Sequence, residues 1–157
     1  MKPFHLLTWD INQLSLALKI DVSSVGEYFT DGRRVAFIIE RRLKADLDFG
    51  LAPSEGASFD LVDGKGKKWE VRNVTSGGVN FCPSYMVGVG RSFDEPGFLA
   101  KLQQLQGYIL ADIEKFPNVP CWMIPKEAIW KWYVSGKLGA GTKISRVKAL
   151  RLIEALA

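Results

Sequence analysis

Residues 58–75, SFDLVDGKGKKWEVRNVT, constrain the fold more than any other stretch of the chain. β-Branched and aromatic residues stand among polar ones on both sides of Gly64-Lys65-Gly66, the composition of two strands joined by a tight turn. The pattern predicts a strand over 58–63 and a return strand over 68–75. Side chains alternate along a strand, so Lys68, Glu70 and Arg72 share a face. If Gly64-Lys65-Gly66 is a three-residue loop, Asp60 lies opposite Glu70, with Cβ atoms roughly 5 Å apart. Two carboxylates so placed repel each other unless a cation lies between them.

The flanking sequence supplies a body for this hairpin. Val35, Ile38, Ile39, Leu43 and Leu47 recur at helical spacing with charges between them, predicting an amphipathic helix over 35–47. Upstream, 10–30 read as two short helices, with Ser23 the candidate cap of the second, and Asp31-Gly32 as a break. Residues 50–56 read as a loop around Pro53. After the hairpin, 76–93 read as long loops with room for one short strand at 84–89. Asp94-Glu95-Pro96 opens a helix carrying Phe98, Leu99, Leu102 and Leu105, which Gly107 stops. Buried strands follow at 108–113 and 119–124, then helices at 126–135 and 145–156. This order predicts an α/β fold in one domain, 1–157: a mixed β-sheet flanked by helices over 34–157, with a small helical N-terminal unit over 1–33.

Composition narrows the classes. With 157 residues, 47% hydrophobic and 24% charged, the chain can bury a real core and is neither disordered nor fibrous. Its apolar runs, such as VAFII at 35–39, fall short of the ~20 residues of a membrane span, so no membrane partner is expected. The opening MKPFHLLTWD has no charged head followed by an apolar segment, and Cys82 and Cys121 are too few for a disulfide framework. A cytoplasmic protein is expected. Both cysteines read as packing residues. The lone His5 excludes a multi-histidine zinc site. A net charge of +4 fits an anionic partner without requiring one.

The cation best suited to Asp60 and Glu70 is Mg²⁺, with Mn²⁺ as substitute. Mg²⁺ takes oxygen ligands and is commonly held by one or two carboxylates plus substrate phosphate. A basic side chain beside it can orient an attacking water or stabilise charge on phosphorus. The run FDLVDGKGKKWEVR resembles the signature of the PD-(D/E)XK nucleases: an acid on one strand, then acid–any–base on the next. The spacing of Asp60, Glu70 and Arg72 is similar to that in small type II restriction endonucleases. Members often carry a further Glu on a preceding helix, and Glu40 in VAFIIERRLK stands where it is expected. The order of elements over 35–125 also matches the family's core.

The resemblance implies a restriction-endonuclease-like fold and a Mg²⁺-dependent DNA endonuclease of restriction or homing type, bacterial or phage-like, leaving 3′-hydroxyl and 5′-phosphate ends. It implies Asp60 and Glu70 as metal ligands helped by the Val71 carbonyl, and Arg72 at the scissile phosphate. Glu40 would serve a second ion or a metal-bound water. One small domain offers one cutting centre, so double-strand cleavage implies a homodimer. Two positions depart from the pattern: Phe59 replaces Pro, and Arg72 replaces Lys. Arginine stays protonated and cannot act as a general base, but it can bind phosphate bidentately. Lys67 or Lys68 could reach the site, Lys68 with the matching parity. The alternative is a DNA-binding protein with a helix-turn-helix-like N-terminus and a catalytically weakened nuclease core. The plainest alternative is a solvated hairpin whose ion pairs contribute little.

Nucleic-acid contacts are expected from several places. Asn80 and Arg91 lie in the Gly-containing stretch after the hairpin, which either approaches DNA or merely connects strands. Arg33 and Arg34 follow the two short helices, which read either as a helix-turn-helix or, the favoured reading, as a structural cap. Lys143 and Arg146 belong to a basic group with Lys137, Lys148 and Arg151 that either tracks phosphates or forms a solvated face. Trp122, Trp130, Trp132 and Tyr133 read as core.

Overall fold

The computed structural model describes residues 1–156. Aspartates start its first three helices. Asp10 caps α1 (Ile11–Leu18), its carboxylate accepting from the N–H groups of Asn12 and Gln13 at 3.0 and 3.1 Å. Asp21, rather than Ser23, caps α2 (Val22–Phe29), accepting from Ser24 N–H at 2.7 Å. Asp31 caps α3 (Gly32–Leu47), so this helix starts three residues before its apolar stripe does. Each cap satisfies backbone donors that the first helical turn leaves unpaired.

Six strands form a mixed sheet: β1 (His5–Thr8), β2 (Gly50–Leu51), β3 (Leu61–Val62), β4 (Lys68–Val74), β6 (Gly107–Asp112) and β7 (Asn118–Pro125), in the spatial order β1-β7-β6-β4-β3-β2. β4 and β6 run parallel, and every other neighbouring pair is antiparallel. Two further strands, β5 (Val79–Asn80) and β8 (Lys143–Ile144), make a separate ribbon. The remaining helices are α4 (Glu95–Gln104), α5 (Lys126–Val134) and α6 (Arg146–Glu154).

Every residue of β6 is buried, which explains its apolar run from Tyr108 to Ala111: it is a central strand covered on both faces. Tyr108 and Leu110 enter one core with Phe98, Trp122, Ile129, Trp132 and Leu152, beneath α4, α5 and α6. Ile109 and Ala111 enter the other with Leu7, Phe29, Val35, Ile39 and Leu43, beneath α2 and α3. β4 divides the same way: Trp69 and Val71 face α3, whereas Val74 faces the other core.

Several local expectations are corrected. Residues 5–8 form an edge strand, although only Leu7 among them is buried. Gly50 and Leu51 leave the expected loop to pair with Val62 and Leu61. Residues 84–89 hold a 3-10 turn over Ser84–Met86 instead of a strand. Pro83 precedes this turn, and Arg91 donates from Nη1 to the carbonyls of Ser84 and Val87 at 3.2 and 3.4 Å. Trp122 and Trp132 are core residues as expected, but Trp130 is 48% exposed on α5. No helix among the described residues is long and apolar enough to cross a membrane.

Candidate functional site: a paired-carboxylate hairpin

The hairpin turn is built by Asp63. Its Oδ1 accepts from the N–H groups of Lys65 and Lys67 at 2.9 and 3.0 Å, and its Oδ2 accepts from Trp69 Nε1 at 3.1 Å. Gly66 takes φ +74°, a conformation costly for residues with a Cβ. The resulting register, Leu61 opposite Trp69 and Val62 opposite Lys68, brings Asp60 beside Glu70 as the three-residue loop predicts. Regular pairing stops at Leu61. The Asp60 N–H donates to the Trp69 carbonyl at 3.0 Å, and Asp60 Oδ2 accepts from Val71 N–H at 2.8 Å. Asp60 therefore straddles Glu70, tied to the residue on either side of it.

Glu70 is only 5% exposed, and its charge is met by two cations. Lys101 Nζ lies 2.7 Å and Arg72 Nη2 2.8 Å from the same oxygen, Oε1. Arg72 Nη2 also donates to the Cys82 carbonyl at 2.9 Å, while the Tyr108 hydroxyl donates to the Phe81 carbonyl at 2.9 Å. The chain after β5 is thus pinned against the site. Arg72 Nε is buried without a partner among the described residues.

Lys101 is the residue that sequence reasoning missed. It lies on α4 three residues after Phe98 and four before Leu105, hence on the helix's apolar stripe. A lysine in that stripe was the available signal: a charge there must find a partner.

Glu40 faces the site from α3. With Asp60 it lines a cleft of about 430 Å³ whose walls include Phe37, Arg41, Pro53, Glu55 and Phe59. Burial, then the negative charge of Asp60, pushes the Glu40 carboxyl up to about 7. Burial, then the charge of Glu70, pushes Asp60 up to about 6, against the opposing pull of the Val71 N–H, Arg72 and Lys101. These are the shifts of carboxyls crowded together and partly withdrawn from water.

Asp60 Oδ1 and Glu70 Oε2 carry no hydrogen bond among the described residues, so each carboxylate keeps one oxygen for a cation. That suits a hard ion which takes one or two carboxylates and completes its shell with water and phosphate. No three His, Cys, Asp or Glu side chains converge as a metal-holding group among the described residues, so the arrangement is a carboxylate pair with Glu40 on the adjoining wall.

The other expected residues are dispersed. Lys68 is exposed, with Nζ 5.0 Å from the Phe59 ring centroid. Asn80 and Lys143 are register partners in the β5–β8 ribbon, and Asn80 Oδ1 accepts from Cys82 N–H at 3.2 Å. Arg91 staples its own loop. Arg33 and Arg34 are exposed at the start of α3, with Arg34 Nε 3.6 Å from Asp31. Arg146 is turned inward: Nε and Nη2 grip Asp112, 1% exposed, at 2.9 and 2.7 Å. Compared with known proteins, the chain matches no protein-family model and no curated protein sequence.

Proposed function

We propose that this protein is a metal-dependent DNA endonuclease of the restriction-endonuclease-like, PD-(D/E)XK type. The observation that carries the reading is the hairpin geometry: Asp60 beside Glu70, one oxygen of each free, and two cationic side chains at the other Glu70 oxygen. The flanking helix α3 with Glu40, and the parallel β4–β6 pair joined through α4, support the same reading.

Asp60 and Glu70 hold Mg²⁺ or Mn²⁺. When bound, the ion supplies Lewis-acid polarisation of the scissile phosphate. Arg72 and Lys101 add fixed positive charge where negative charge grows on the phosphate oxygens. Lys101 brings from α4 the ammonium that position 72 lacks. Glu40 can exchange a proton near neutral pH at the cleft wall. Cutting both strands of a duplex calls for a homodimer, since each chain offers one such centre.

Incubation with plasmid and branched DNA tests this reading. Cleavage with Mg²⁺ or Mn²⁺ that chelator stops, and that Asp60→Ala or Glu70→Ala abolishes while folding persists, is the expected result. Cleavage retained by both variants overturns it. A second reading is a DNA-binding protein with a weakened nuclease core, favoured by the double pairing of Glu70 Oε1 and by Arg at position 72. Tight binding without cutting in either metal, and cutting gained by Arg72→Lys, supports that alternative.

A further inference from the structure

The outer face of α3 combines features that its core face does not require. Val35, Ile39 and Leu43 point into the core, while Arg33, Phe37, Arg41 and Lys44 follow one another at helical spacing on the exposed side. Phe37 is 58% exposed, which apolar burial gives no reason for. The Arg41 guanidinium covers one face of its ring, 3.3 Å from the centroid. The helix rise sets Arg33 about 12 Å from Arg41, with the aromatic between them. The stripe runs beside the cleft that holds Asp60, where a second aromatic, Phe59, carries a second cation, Lys68.

Basic side chains flanking an open aromatic face are how proteins hold single-stranded nucleic acid: cations track phosphates, and bases stack on rings without sequence choice. A duplex offers no free base face to such a ring. The negative groups at the cleft are Glu40, Glu55 and Asp60, so phosphates are attracted along the helix and repelled from the cleft until a cation is present.

We infer that the outer face of α3 binds single-stranded DNA, with an unpaired base stacked on Phe37 and neighbouring phosphates on Arg33 and Arg41. This rests on the nuclease reading for its purpose and adds the substrate class: DNA with an unpaired segment next to the cut. Phe37 and Arg41 line the same cleft as Asp60, so a strand held on them runs beside that carboxylate.

Fluorescence anisotropy tests it, using a labelled oligothymidine and a blunt duplex of equal length, at low salt with chelator so that no cutting occurs. Wild type is expected to bind the single strand at least about tenfold tighter than the duplex. Phe37→Ala is expected to weaken single-strand binding about tenfold, the low end of one base–aromatic stack, and Phe37→Trp to restore it. Arg41→Gln is expected to flatten the salt dependence by about 0.7 in log–log slope, one phosphate contact on a single strand. Unchanged melting temperatures check that the variants fold. Equal binding of duplex and single strand, or single-strand binding indifferent to Phe37, overturns the inference. Phe37-dependent binding by a protein that never cuts DNA keeps the stacking site and removes the nuclease reading. Metal-dependent duplex cutting with no Phe37 effect does the reverse.

Discussion

Replacing Lys101 by Met removes one of the two cations at Glu70 while nearly conserving side-chain volume. The Lys101 side chain is 15% exposed and that of Glu70 6%, so water screens the pair weakly. Stripping a buried charge of its sole partner costs about 3–5 kcal/mol. Here Arg72 remains 2.8 Å from Glu70 Oε1, so Lys101→Met leaves the carboxylate half-compensated. A loss of about 1–2 kcal/mol follows, which at this chain length lowers the melting temperature by about 2–8 °C. Glu70→Gln strands two cations instead of one anion and should cost more, about 3 kcal/mol or above. The double variant should be less damaged than the sum of the singles, because with Glu70 neutral Lys101→Met breaks no ion pair and removes one of the stranded cations; a coupling of at least ~1 kcal/mol is expected. Urea denaturation of the four proteins measures all of this. Additive effects, or a Lys101→Met protein as stable as wild type, refute the claim that Lys101 and Glu70 act on each other.

Two further outcomes are expected. Asp60 and Glu40 have folded-state values raised to about 6 and about 7, so their contribution to stability is full below about pH 4 and is lost as pH rises through 6 and 7. In urea titrations with chelator, Asp60→Asn should flatten the fall in stability between about pH 4 and 6; a slope identical to wild type contradicts it. Arg146→Met leaves Asp112 buried without its cation and should cost about 3 kcal/mol with no change in DNA affinity; a weakened phosphate contact at unchanged stability would return Arg146 to the DNA surface.

The hairpin was legible because its information is local. Glycines at the turn set the register, and period-two alternation set the faces, so the neighbourhood of Asp60 and Glu70 followed from spacing alone. α3 and β6 were legible for the same reason, one from its 3.6-residue stripe and the other from its apolar run. What escaped was settled by partners distant in the chain. His5–Thr8 is a strand because β7 offers it an edge, not because HLLT alternates strongly. Val79–Asn80 and Lys143–Ile144 are two residues each and exist only as each other's partner. Lys101 left a trace, a charge in an apolar stripe, but Glu70 lies 31 positions away and nothing local names it. Arg146 read as one of several surface cations until Asp112, at the end of a buried strand, claimed it.

The claim on which the functional reading stands is that Asp60 and Glu70 together hold a divalent cation. Mn²⁺ binding followed by electron paramagnetic resonance, without DNA, tests it directly. One ion per chain is expected for wild type, with occupancy lost in Asp60→Asn and in Glu70→Gln and retained in Arg146→Met. No bound Mn²⁺ in wild type, or binding that survives both carboxylate substitutions, contradicts it.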